Sequence, residues 1–306
     1  MSQVLVIGGS GQLATALAQV GGPAVRRLGR PALDFDRPDE VADAMRGALR
    51  DAVGEGGPVV VVNAAAWTAV DAAEAEPDAA RRANQDGPAL LAAACAEMAA
   101  PLIHVSTDYV FDGLKGRPYV ETDPTSPTGV YGATKLAGEQ AVLAMHPQAV
   151  VLRTSWVYSA TGRNFVRTML GAKAPRLRVV ADQQGCPTAA ADLADAVLTV
   201  AGRLGEGWRD EYAGVFHAAG AGSTTWHGLA AATFEDAARH GRAVPAVDPI
   251  ATADWPTPAR RPPDSRLDCG KLRRVFGAAL PHWRPSLAGV VDALLASGSR
   301  PGAPRA

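Results

Sequence analysis

Tyr131 and Lys135 lie four residues apart in the stretch "VYGATKLAGE", which reads as the start of a helix. Residues at i and i+4 share one helix face, so the phenol and the ammonium can meet the same bound molecule. A tyrosine, with an unperturbed pKa of about 10, is a poor proton donor unless a nearby positive charge stabilises its anion. The pair therefore suits protonation of an oxygen, although the same spacing is also common on exposed helix faces.

The segment "LIHVSTDYVF" reads as a buried strand with polar residues at its carboxyl end. Those residues are Ser106, Thr107 and Asp108, and open α/β sheets bind ligands at the carboxyl ends of their strands. Carbonyl reduction needs a hydride donor, a proton donor for the developing alkoxide and a hydroxyl that holds the carbonyl oxygen. Thr107, Tyr131 and Lys135 are therefore the predicted catalytic residues of a reductase, with the hydride donor bound beside them.

Short, continuously apolar runs recur along the chain with helical patterns between them. Such runs are typical of strands buried on both faces, as in a parallel sheet covered by helices. The sequence therefore predicts an α/β fold with a Rossmann-type, doubly wound parallel sheet. Long helices are predicted from Pro38 and from Ala80. The predicted strands are "VLVI" at Val4, "AVRRL" at Ala24, "VVVV" at Val59, "LIHVS" at Leu102, "AVVLR" at Ala149 and "LRVV" at Leu177.

The N-terminal stretch "VLVIGGSGQLATALA" reads as a strand, a glycine turn and a helix, with Gly8, Gly11 and Ala14 spaced as G-x-x-G-x-x-A. The glycines permit a tight turn and let backbone N–H groups approach a pyrophosphate at the helix N-terminus. Leu13 and Leu17 are then expected to face the sheet. A glycine-rich turn that binds no ligand is the alternative, because loose glycine patterns are common.

The end of the second predicted strand bears on the choice of dinucleotide. NAD-binding folds usually place an acid there, about 20 residues after the glycine turn, to hold the adenosine ribose. Here "AVRRLGR" ends in Arg30, and an arginine suits a 2′-phosphate. NADPH is therefore the predicted cofactor, with NADH left open. Arg26 and Arg27 read more simply as solvated strand residues, whereas Asp34 and Phe35 either meet the adenine or begin the turn into the next helix.

Beyond Trp156 the pattern loosens into shorter elements, which favours a smaller, partly interleaved C-terminal substrate-binding domain. We expect a dinucleotide-binding domain over 1–155 that also receives parts of 181–215. The substrate-binding domain is expected over 156–300, with a disordered tail at 297–306.

The segment "DPIATADWPTPARRPPDSRLD" from Asp248 has too many prolines for a helix or a central strand. Loops of this length are usually functional or disordered. Arg260 and Arg261 lie in it, and their guanidinium groups can grip a diphosphate or close over a substrate. The alternative is a solvated turn.

Composition excludes several function classes. The 306 residues carry 30 basic and 31 acidic side chains, so the net charge of -1 provides no general field for nucleic acid or for an anionic membrane. The three cysteines are far apart and form neither a disulfide framework nor a zinc motif, which indicates a reducing compartment. The chain shows no secretory leader, and its longest apolar run is far shorter than a membrane span. We therefore expect a cytoplasmic protein.

Together these motifs resemble the dTDP-4-dehydrorhamnose reductases, a family of the extended short-chain dehydrogenase/reductase superfamily. The resemblance covers nearly the whole chain in the family's order, and several motifs are specific to this subgroup. The matching stretches are "VVNAAAWTAVDAAEAEP" from Val61, "HVSTDYVFDG" from His104, "PTGVYGATKLAGE" from Pro127, "LRTSWVY" from Leu152, "NFVRTML" from Asn164, "DQQGCPT" from Asp182 and "PTPARRPPDSRLD" from Pro256.

The resemblance implies roles for individual positions. Thr107, Tyr131 and Lys135 match the family's catalytic residues. With the glycine turn and Arg30, the implied cofactor-binding positions are Gly8, Gly11, Gln12, Leu13, Arg30, Asp34, Phe35, Ala64, Ala65, Ala66, Trp67, Thr68, Tyr131 and Lys135. The implied substrate-binding positions are Thr107, Asp108, Trp156 and Arg260. By itself Trp156 reads as a core aromatic residue, the commoner fate of a tryptophan.

The chain also departs from the family's pattern. Some members carry glutamates in the first helix that take part in a magnesium-bridged dimer, but residues 11–20 include no acid here. Neither magnesium nor that dimer is therefore expected, and a homodimer of another kind is left open. The aromatic residue after "NAAA", commonly tyrosine or histidine in the family, is Trp67.

The resemblance implies an NADPH-dependent reductase that converts the C4 ketone of dTDP-4-dehydro-β-L-rhamnose to dTDP-L-rhamnose in deoxysugar biosynthesis. In this scheme Tyr131 protonates the ketone oxygen, while Lys135 lowers the tyrosine pKa and holds the nicotinamide ribose. One alternative is a reductase or synthase for another dTDP-4-keto-deoxysugar, such as an antibiotic sugar, with the change of substrate near Trp67 and Trp255. A second alternative is a non-catalytic NADP-binding regulatory subunit, which the retained catalytic residues disfavour.

Overall fold

The computed structural model describes residues 2–54 and 56–298. At the centre of this part lies a six-stranded sheet in which all neighbouring strands run parallel. Its strands are β1 (Gln3–Ile7), β2 (Val25–Leu28), β3 (Val59–Asn63), β4 (Leu102–Thr107), β5 (Val150–Thr154) and, later in the chain, β10 (Gly214–His217). Their order across the sheet is β10-β5-β4-β3-β1-β2. The predicted α/β, Rossmann-type parallel sheet is confirmed.

Helices alternate with these strands. They are α1 (Gln12–Gly21), α2 (Pro38–Gly54), α3 (Val70–Ala75), α4 (Pro77–Arg81), α5 (Gly87–Glu97), α6 (Val130–Met145), α7 (Phe165–Gly171), α8 (Ala190–Glu206), α9 (Trp226–Arg239), α10 (Gly270–Phe276) and α11 (Trp283–Gly298). A π-helical segment, Arg82–Asp86, joins α4 to α5. α2 begins at Pro38, whose fixed φ suits a first turn, and Asp39 and Glu40 follow where the helix dipole favours acids. None of the described helices is long and apolar enough to cross a membrane.

The sheet is buried on both faces. Val4 and Val6 of β1 point into a core formed with α1 and α8. Leu5 and Ile7 point to the other face, into a core formed with α2, α5 and α6. Successive side chains of a strand face opposite sides, so a doubly covered strand needs an unbroken apolar run. Leu13 and Leu17 are buried in the first core, as predicted.

The strand order creates a switch point between β1 and β3. From β1 the chain adds β2 on one side, whereas β3, β4 and β5 follow on the other side. Open α/β sheets bind ligands outside the carboxyl ends of their strands at such a point. The glycine turn leaves β1 there, and the Ala64 N–H, just after β3, donates to the Ile7 carbonyl at 2.9 Å. Both predicted cofactor segments therefore lie at the same edge.

The run "LRVV" at Leu177 forms a strand, β7 (Arg176–Val180), but this strand lies outside the central sheet. It pairs in parallel with β12 (Ala246–Ile250). The proline-rich segment starts within β12. Pro249 is tolerated there because each strand of a two-stranded sheet has one edge without a neighbouring strand. The sixth central strand is instead β10, "GVFH", which was not predicted because its glycine and histidine interrupt the apolar pattern.

Shorter elements complete the C-terminal part. β6 (Val157–Tyr158) pairs with β9 (Thr188–Ala189), and β8 (Gln184–Gly185) pairs with β11 (Thr224–Thr225). α7, α9 and α11 enclose a separate core that includes Val166, Leu229 and Leu287. α8 packs against α1, however, so the chain returns to the central layers after residue 181. The domain limits stay a prediction. Of the predicted tail at 297–306, residues 297 and 298 end α11 and the remainder lies outside the described residues.

Candidate active site

The turn between β1 and α1 is shaped for close backbone approach. Gly8 has a φ of +134°, a conformation that side chains disfavour. A Cβ atom on Gly29 would lie 2.7 Å from the Gly9 nitrogen, so the turn runs against the end of β2. α1 then begins at Gln12 with Gly11 as its N-cap, and no side chain in the described part of the chain caps its N–H groups. Such a helix end fits the pyrophosphate of a dinucleotide.

A cavity of about 540 Å³ opens at the carboxyl ends of the central strands. It brings together eleven predicted residues: Gly11, Gln12, Leu13, Ala64, Ala66, Thr68, Thr107, Asp108, Tyr131, Lys135 and Trp156. The predicted residues that do not line it are Gly8, Arg30, Asp34, Phe35, Ala65, Trp67 and Arg260. The predicted hydride-donor site and the predicted proton donor therefore share one cavity.

Lys135 is buried on the second turn of α6. Its Nζ donates a hydrogen bond of 2.7 Å to the carbonyl oxygen of Val105 in β4, so the ammonium is fixed beneath the cavity. Burial lowers the pKa of Lys135 to about 8, while the negative charge of Glu139 opposes this fall. The ammonium is thus the main form at neutral pH.

Tyr131 is half-buried one turn before Lys135. Burial raises the pKa of Tyr131 to about 12, and the interaction with the Thr107 hydroxyl opposes the rise. The expected lowering of this pKa by Lys135 is not seen: burial is the largest cause of the shift, the charge of Asp108 adds to the rise, and Lys135 is not among the groups that change it. The phenol is therefore fully protonated at neutral pH and can donate its proton.

α6 lies unusually close to its neighbours. A Cβ atom on Gly132 would be 2.2 Å from the carbonyl oxygen of Tyr109, and one on Gly138 would be 1.9 Å from the carbonyl oxygen of Asn84. Any side chain at either position would collide with backbone. The two glycines of the helix that carries Tyr131 therefore let that helix pack against the end of β4 and the π-helical segment.

Asp108 follows Thr107 and is 2% exposed. Its carboxylate accepts hydrogen bonds from Ser155 Oγ at 2.8 Å and from Thr107 Oγ1 at 3.1 Å. Burial raises the pKa of Asp108 to about 6, although hydrogen bonds from Ser265, Ser155 and Thr107 lower it. The side chain that was predicted to meet the substrate thus also orients the Thr107 hydroxyl.

Trp156 forms one wall of the cavity in a strained conformation, with a φ of +46°. Its ring lies between Gly185, where a Cβ atom would be 2.3 Å from the indole, and the indole of Trp226. The two indoles stack with centroids 3.5 Å apart. Trp226 Nε1 donates to Gln183 Oε1 at 3.1 Å, which fixes the outer ring.

Sequence reasoning missed Trp226, Thr154 and Arg163, which line the cavity together with Ser106, a residue predicted at this strand end. A tryptophan early in a helix gives no signal of its own, because buried tryptophans are ordinary core residues. Arg163 lies in the segment that binds Gln12, and its position in the cavity depends on a contact between distant parts of the chain. Periodicity and local spacing cannot reveal such contacts.

The Gln12 side chain joins the glycine turn to the C-terminal part. Its Nε2 donates to the Val157 carbonyl at 3.4 Å, and its Oε1 accepts from Ser159 Oγ at 2.9 Å and from Asn164 Nδ2 at 3.0 Å. A Cβ atom on Gly162 would lie 3.1 Å from Gln12 Cγ. The start of α1 and the segment 157–164 therefore form one continuous wall.

Trp67 lies beside the cavity but is held by backbone contacts. Its N–H donates to Asn84 Oδ1 at 2.9 Å, and Asn84 Nδ2 donates back to the Trp67 carbonyl at 3.1 Å and to Thr134 Oγ1 at 3.1 Å. The Trp67 indole N–H donates to the Ala69 carbonyl at 3.1 Å. The buried Asn84, which sequence reasoning also missed, thus ties the segment after β3 to α6.

The residues predicted for the adenosine end lie outside this cavity. The Arg30 side chain is 74% exposed, with its guanidinium 3.9 Å from Asp34 Oδ1 and 3.7 Å from Asp36 Oδ2. The ring of Phe35 packs on Gly87 at the start of α5. These weak ion pairs leave the Arg30 guanidinium at the surface, where it can exchange partners with a phosphate.

The two arginines of the proline-rich segment differ in their contacts. Arg261 forms a bidentate ion pair with Asp71 of α3 at 2.7 and 3.1 Å. Both arginines line a second cavity of about 440 Å³, together with Asp182 and Trp255. No cluster of three metal-ligating side chains occurs within residues 2–54 and 56–298.

Comparison with known proteins gives a consistent result. A family model described as the RmlD substrate binding domain matches residues 1–296. A dTDP-4-dehydrorhamnose reductase of Sinorhizobium fredii is 45% identical over 97% of this chain and 99% of that protein. One of Streptomyces griseus is 43% identical over 97% of this chain and 95% of that protein.

Solved structures agree. A dTDP-4-dehydrorhamnose reductase of Clostridium acetobutylicum has a TM-score of 0.81 at 36% identity and covers 96% of this chain and 100% of its own. The Bacillus anthracis enzyme, crystallised in complex with NADP, has a TM-score of 0.82 at 31% identity over 95% of this chain and 99% of its own. The glycine turn, the cavity at the carboxyl ends of the strands and these full-length similarities agree: the chain belongs to the dTDP-4-dehydrorhamnose reductase family.

Proposed function

We propose that this protein uses NADPH to reduce the C4 ketone of dTDP-4-dehydro-β-L-rhamnose, giving dTDP-L-rhamnose. The observation that carries the proposal is the shared cavity, in which the uncapped start of α1 faces the same space as Thr107, Tyr131 and Lys135. The relatives that match over their whole length carry this reductase's name, and one of them was crystallised with NADP.

The chain's residues divide the work of the reaction. When bound, the dinucleotide supplies the hydride that reduces the ketone. The Tyr131 phenol, protonated at neutral pH, gives its proton to the developing alkoxide, which is far more basic than the phenolate that remains. Thr107 Oγ1, oriented by its hydrogen bond to Asp108, holds the ketone oxygen or the phenol.

We assign Lys135 to the nicotinamide ribose and to the tyrosine anion. Its ammonium is held at the base of the cavity by the Val105 carbonyl, and it has two further protons with which to donate. As the phenol loses its proton, a positive charge one helical turn away stabilises the anion. Gly8 to Leu13 and Ala64 to Thr68 are assigned to the dinucleotide, and Arg30 to its 2′-phosphate.

The C-terminal part is assigned to the sugar nucleotide. Trp156, held between Gly185 and Trp226, lines the cavity beside Asp108 and is assigned to the deoxysugar ring. Arg260, in the neighbouring cavity, is assigned to the diphosphate end of the substrate. The domain limits near residue 155, a cytoplasmic location and a homodimer are further parts of the proposal.

A panel of dTDP-4-keto sugars, assayed by loss of NADPH absorbance, tests the proposal. We expect dTDP-4-dehydrorhamnose to have the highest kcat/KM. A higher kcat/KM for another dTDP-4-keto-deoxysugar would instead favour the alternative function, a reductase or synthase for that sugar, such as an antibiotic sugar. Tight NADPH binding with no turnover of any member would instead favour the regulatory subunit.

A further inference from the structure

A buried ionic cluster lies behind the catalytic residues. Glu139 and Arg153 are 2% and 4% exposed and form a bidentate ion pair, with Nη2 to Oε2 at 2.6 Å and Nε to Oε1 at 3.0 Å. Ser106 Oγ donates to Glu139 Oε1 at 2.5 Å. None of these three residues has a role in the proposed reaction. Ser106, however, directly precedes Thr107, and Glu139 lies one helical turn after Lys135.

The cluster connects the three elements on which the site is built. Ser106 and Arg153 are direct partners across β4 and β5, and both reach Glu139 from the sheet. Glu139 lies on α6, one turn beyond Lys135. Three successive residues of β4 therefore contact α6 in turn: the Val105 carbonyl accepts from Lys135, Ser106 donates to Glu139, and Thr107 interacts with Tyr131.

Stability alone does not account for this arrangement. Two charges removed from water lose hydration energy, and a buried ion pair is often no more stabilising than an apolar pair of the same size. The cluster also leaves Arg153 Nη1 without a hydrogen-bond partner among the described residues. An apolar contact would join α6 to the sheet without burying charges or leaving a buried nitrogen unpaired. The presence of a buried Glu139–Arg153 ion pair at this position therefore requires an explanation.

Lys135 and Glu139 are four residues apart on α6 and are both buried, so they share one face of the helix, and the charge of Glu139 raises the pKa of Lys135 against the effect of burial. His104 of β4 also faces Lys135, but burial and the Lys135 charge lower the pKa of His104 so far that the ring is neutral at pH 7. The charged and titratable side chains at this junction of α6, β4 and β5 are Tyr131, Lys135, Glu139, His104, Asp108 and Arg153. Glu139 is thus the carboxylate that counters the buried ammonium.

We propose that Glu139, fixed by Ser106 and Arg153, is a positioning residue of the reaction: it sets the distance between Thr107 and the Tyr131–Lys135 pair, and it keeps the Lys135 ammonium charged. This inference rests on the proposed function for its catalytic consequence. Its electrostatic part concerns the free protein alone.

The electrostatic part can be measured without cofactor or substrate. The sequence has four lysines, Lys115, Lys135, Lys173 and Lys271, so lysine-selective ¹³C NMR can follow each titration and Lys135→Arg can assign the signal. In Glu139→Gln we expect the Lys135 midpoint to fall by about one pH unit or more, since an opposite charge at close range has been removed. An unchanged midpoint in folded Glu139→Gln would overturn the electrostatic role.

The geometric part is tested by two variants that keep every charge but loosen the link. Ser106→Ala removes the hydrogen bond, and Glu139→Asp shortens the side chain by one methylene. For both we expect kcat to fall roughly ten- to a hundredfold while KM for NADPH changes less than about twofold, because reacting groups tolerate little misplacement. Wild-type kcat in both variants would refute the positioning role.

Asp236→Asn provides a matched control. Asp236 lies on α9, is 1% exposed, is held by Arg284 at 2.6 Å and by Arg239 at 2.8 Å, and does not line the cavity. This variant should lose thermal stability as Glu139→Gln does, yet leave the Lys135 titration and kcat unchanged. If Glu139→Gln does not fold, Glu139→Asp and Ser106→Ala still decide the geometric part. If the wild type fails to reduce any dTDP-keto sugar, the proposed function fails while the NMR result stands.

Discussion

The indole rings of Trp156 and Trp226 stack with their centroids 3.5 Å apart and their planes within 7° of parallel. Trp156 belongs to the segment after β5, whereas Trp226 begins α9, so the contact joins the sheet's ligand edge to the C-terminal helices. Trp226 thereby holds the strained Trp156 in place.

Replacing Trp226 with leucine should weaken sugar-nucleotide binding, because Trp156 then loses its stacking partner. An aromatic pair contributes about 0.5–1.5 kcal/mol beyond simple burial, so we expect KM for the sugar nucleotide to rise roughly two- to tenfold with the NADPH Kd unchanged. Steady-state kinetics and fluorescence titration measure the two quantities. Trp208→Leu is the control, because Trp208 is also partly buried and packs against a core beside Tyr212; an equal rise in KM there would argue against a specific role for Trp226.

Tyr131→Phe should lower kcat at least about a hundredfold, since general acid catalysis typically contributes that much. The ring and its edge-to-face contact with Tyr109 at 5.6 Å are retained, so the fold and the NADPH Kd should change little. Stopped-flow absorbance and NADPH fluorescence report the two results. Turnover close to that of the wild type would remove Tyr131 from the mechanism.

Asp108 makes stability depend on pH in an unusual direction. Its pKa is about 6 in the folded protein against 3.8 for an ordinary aspartate, so the folded state binds its proton more tightly than the unfolded state. This group therefore destabilises the fold as pH rises from about 4 to about 6, by an amount on the order of 1–3 kcal/mol.

Asp108→Asn removes that ionisation, so we expect the difference in Tm between variant and wild type to shift in favour of the variant as pH rises from 4.5 to 7. Differential scanning calorimetry at the two pH values measures the change. A Tm difference that is the same at both values would mean that Asp108 has an ordinary pKa. Asp248→Asn, at an exposed ion pair with Arg176, serves as the control.

Arg30→Ala should narrow the preference for NADPH over NADH. Within the described residues, the Arg30 guanidinium has only long ion pairs, at 3.9 Å with Asp34 and at 3.7 Å with Asp36. A 2′-phosphate can displace these carboxylates. We expect the ratio of the two kcat/KM values to fall roughly tenfold, with NADH turnover little changed. Arg37→Ala, which loses a comparable surface pair with Glu40, is the control. A ratio unaltered by Arg30→Ala would show that another group reads the phosphate.

The features of this fold and site that the sequence predicts correctly are those that depend on residues close together in the chain. The apolar runs predict the parallel sheet, and the spacing of Tyr131 and Lys135 predicts their common face, because each depends on residues close in the chain. β10 was missed because its glycine and histidine interrupt the apolar pattern, and Trp226 and Asn84 acquire their positions through partners 70 and 17 residues away. The rise in the Tyr131 pKa could not be predicted either, because burial depends on the assembled cavity.

The return of the chain to the central layers has a consequence for engineering and for evolution. α8 covers the face that α1 also covers, and β10 protects β5, so a fragment that stops near residue 155 would expose an apolar face and an open strand edge. A single junction near residue 155 between two relatives would place a foreign α8 on α1 and a foreign β10 beside β5, whereas two crossovers, one on each side of the α8–β10 segment, would keep both contacts native.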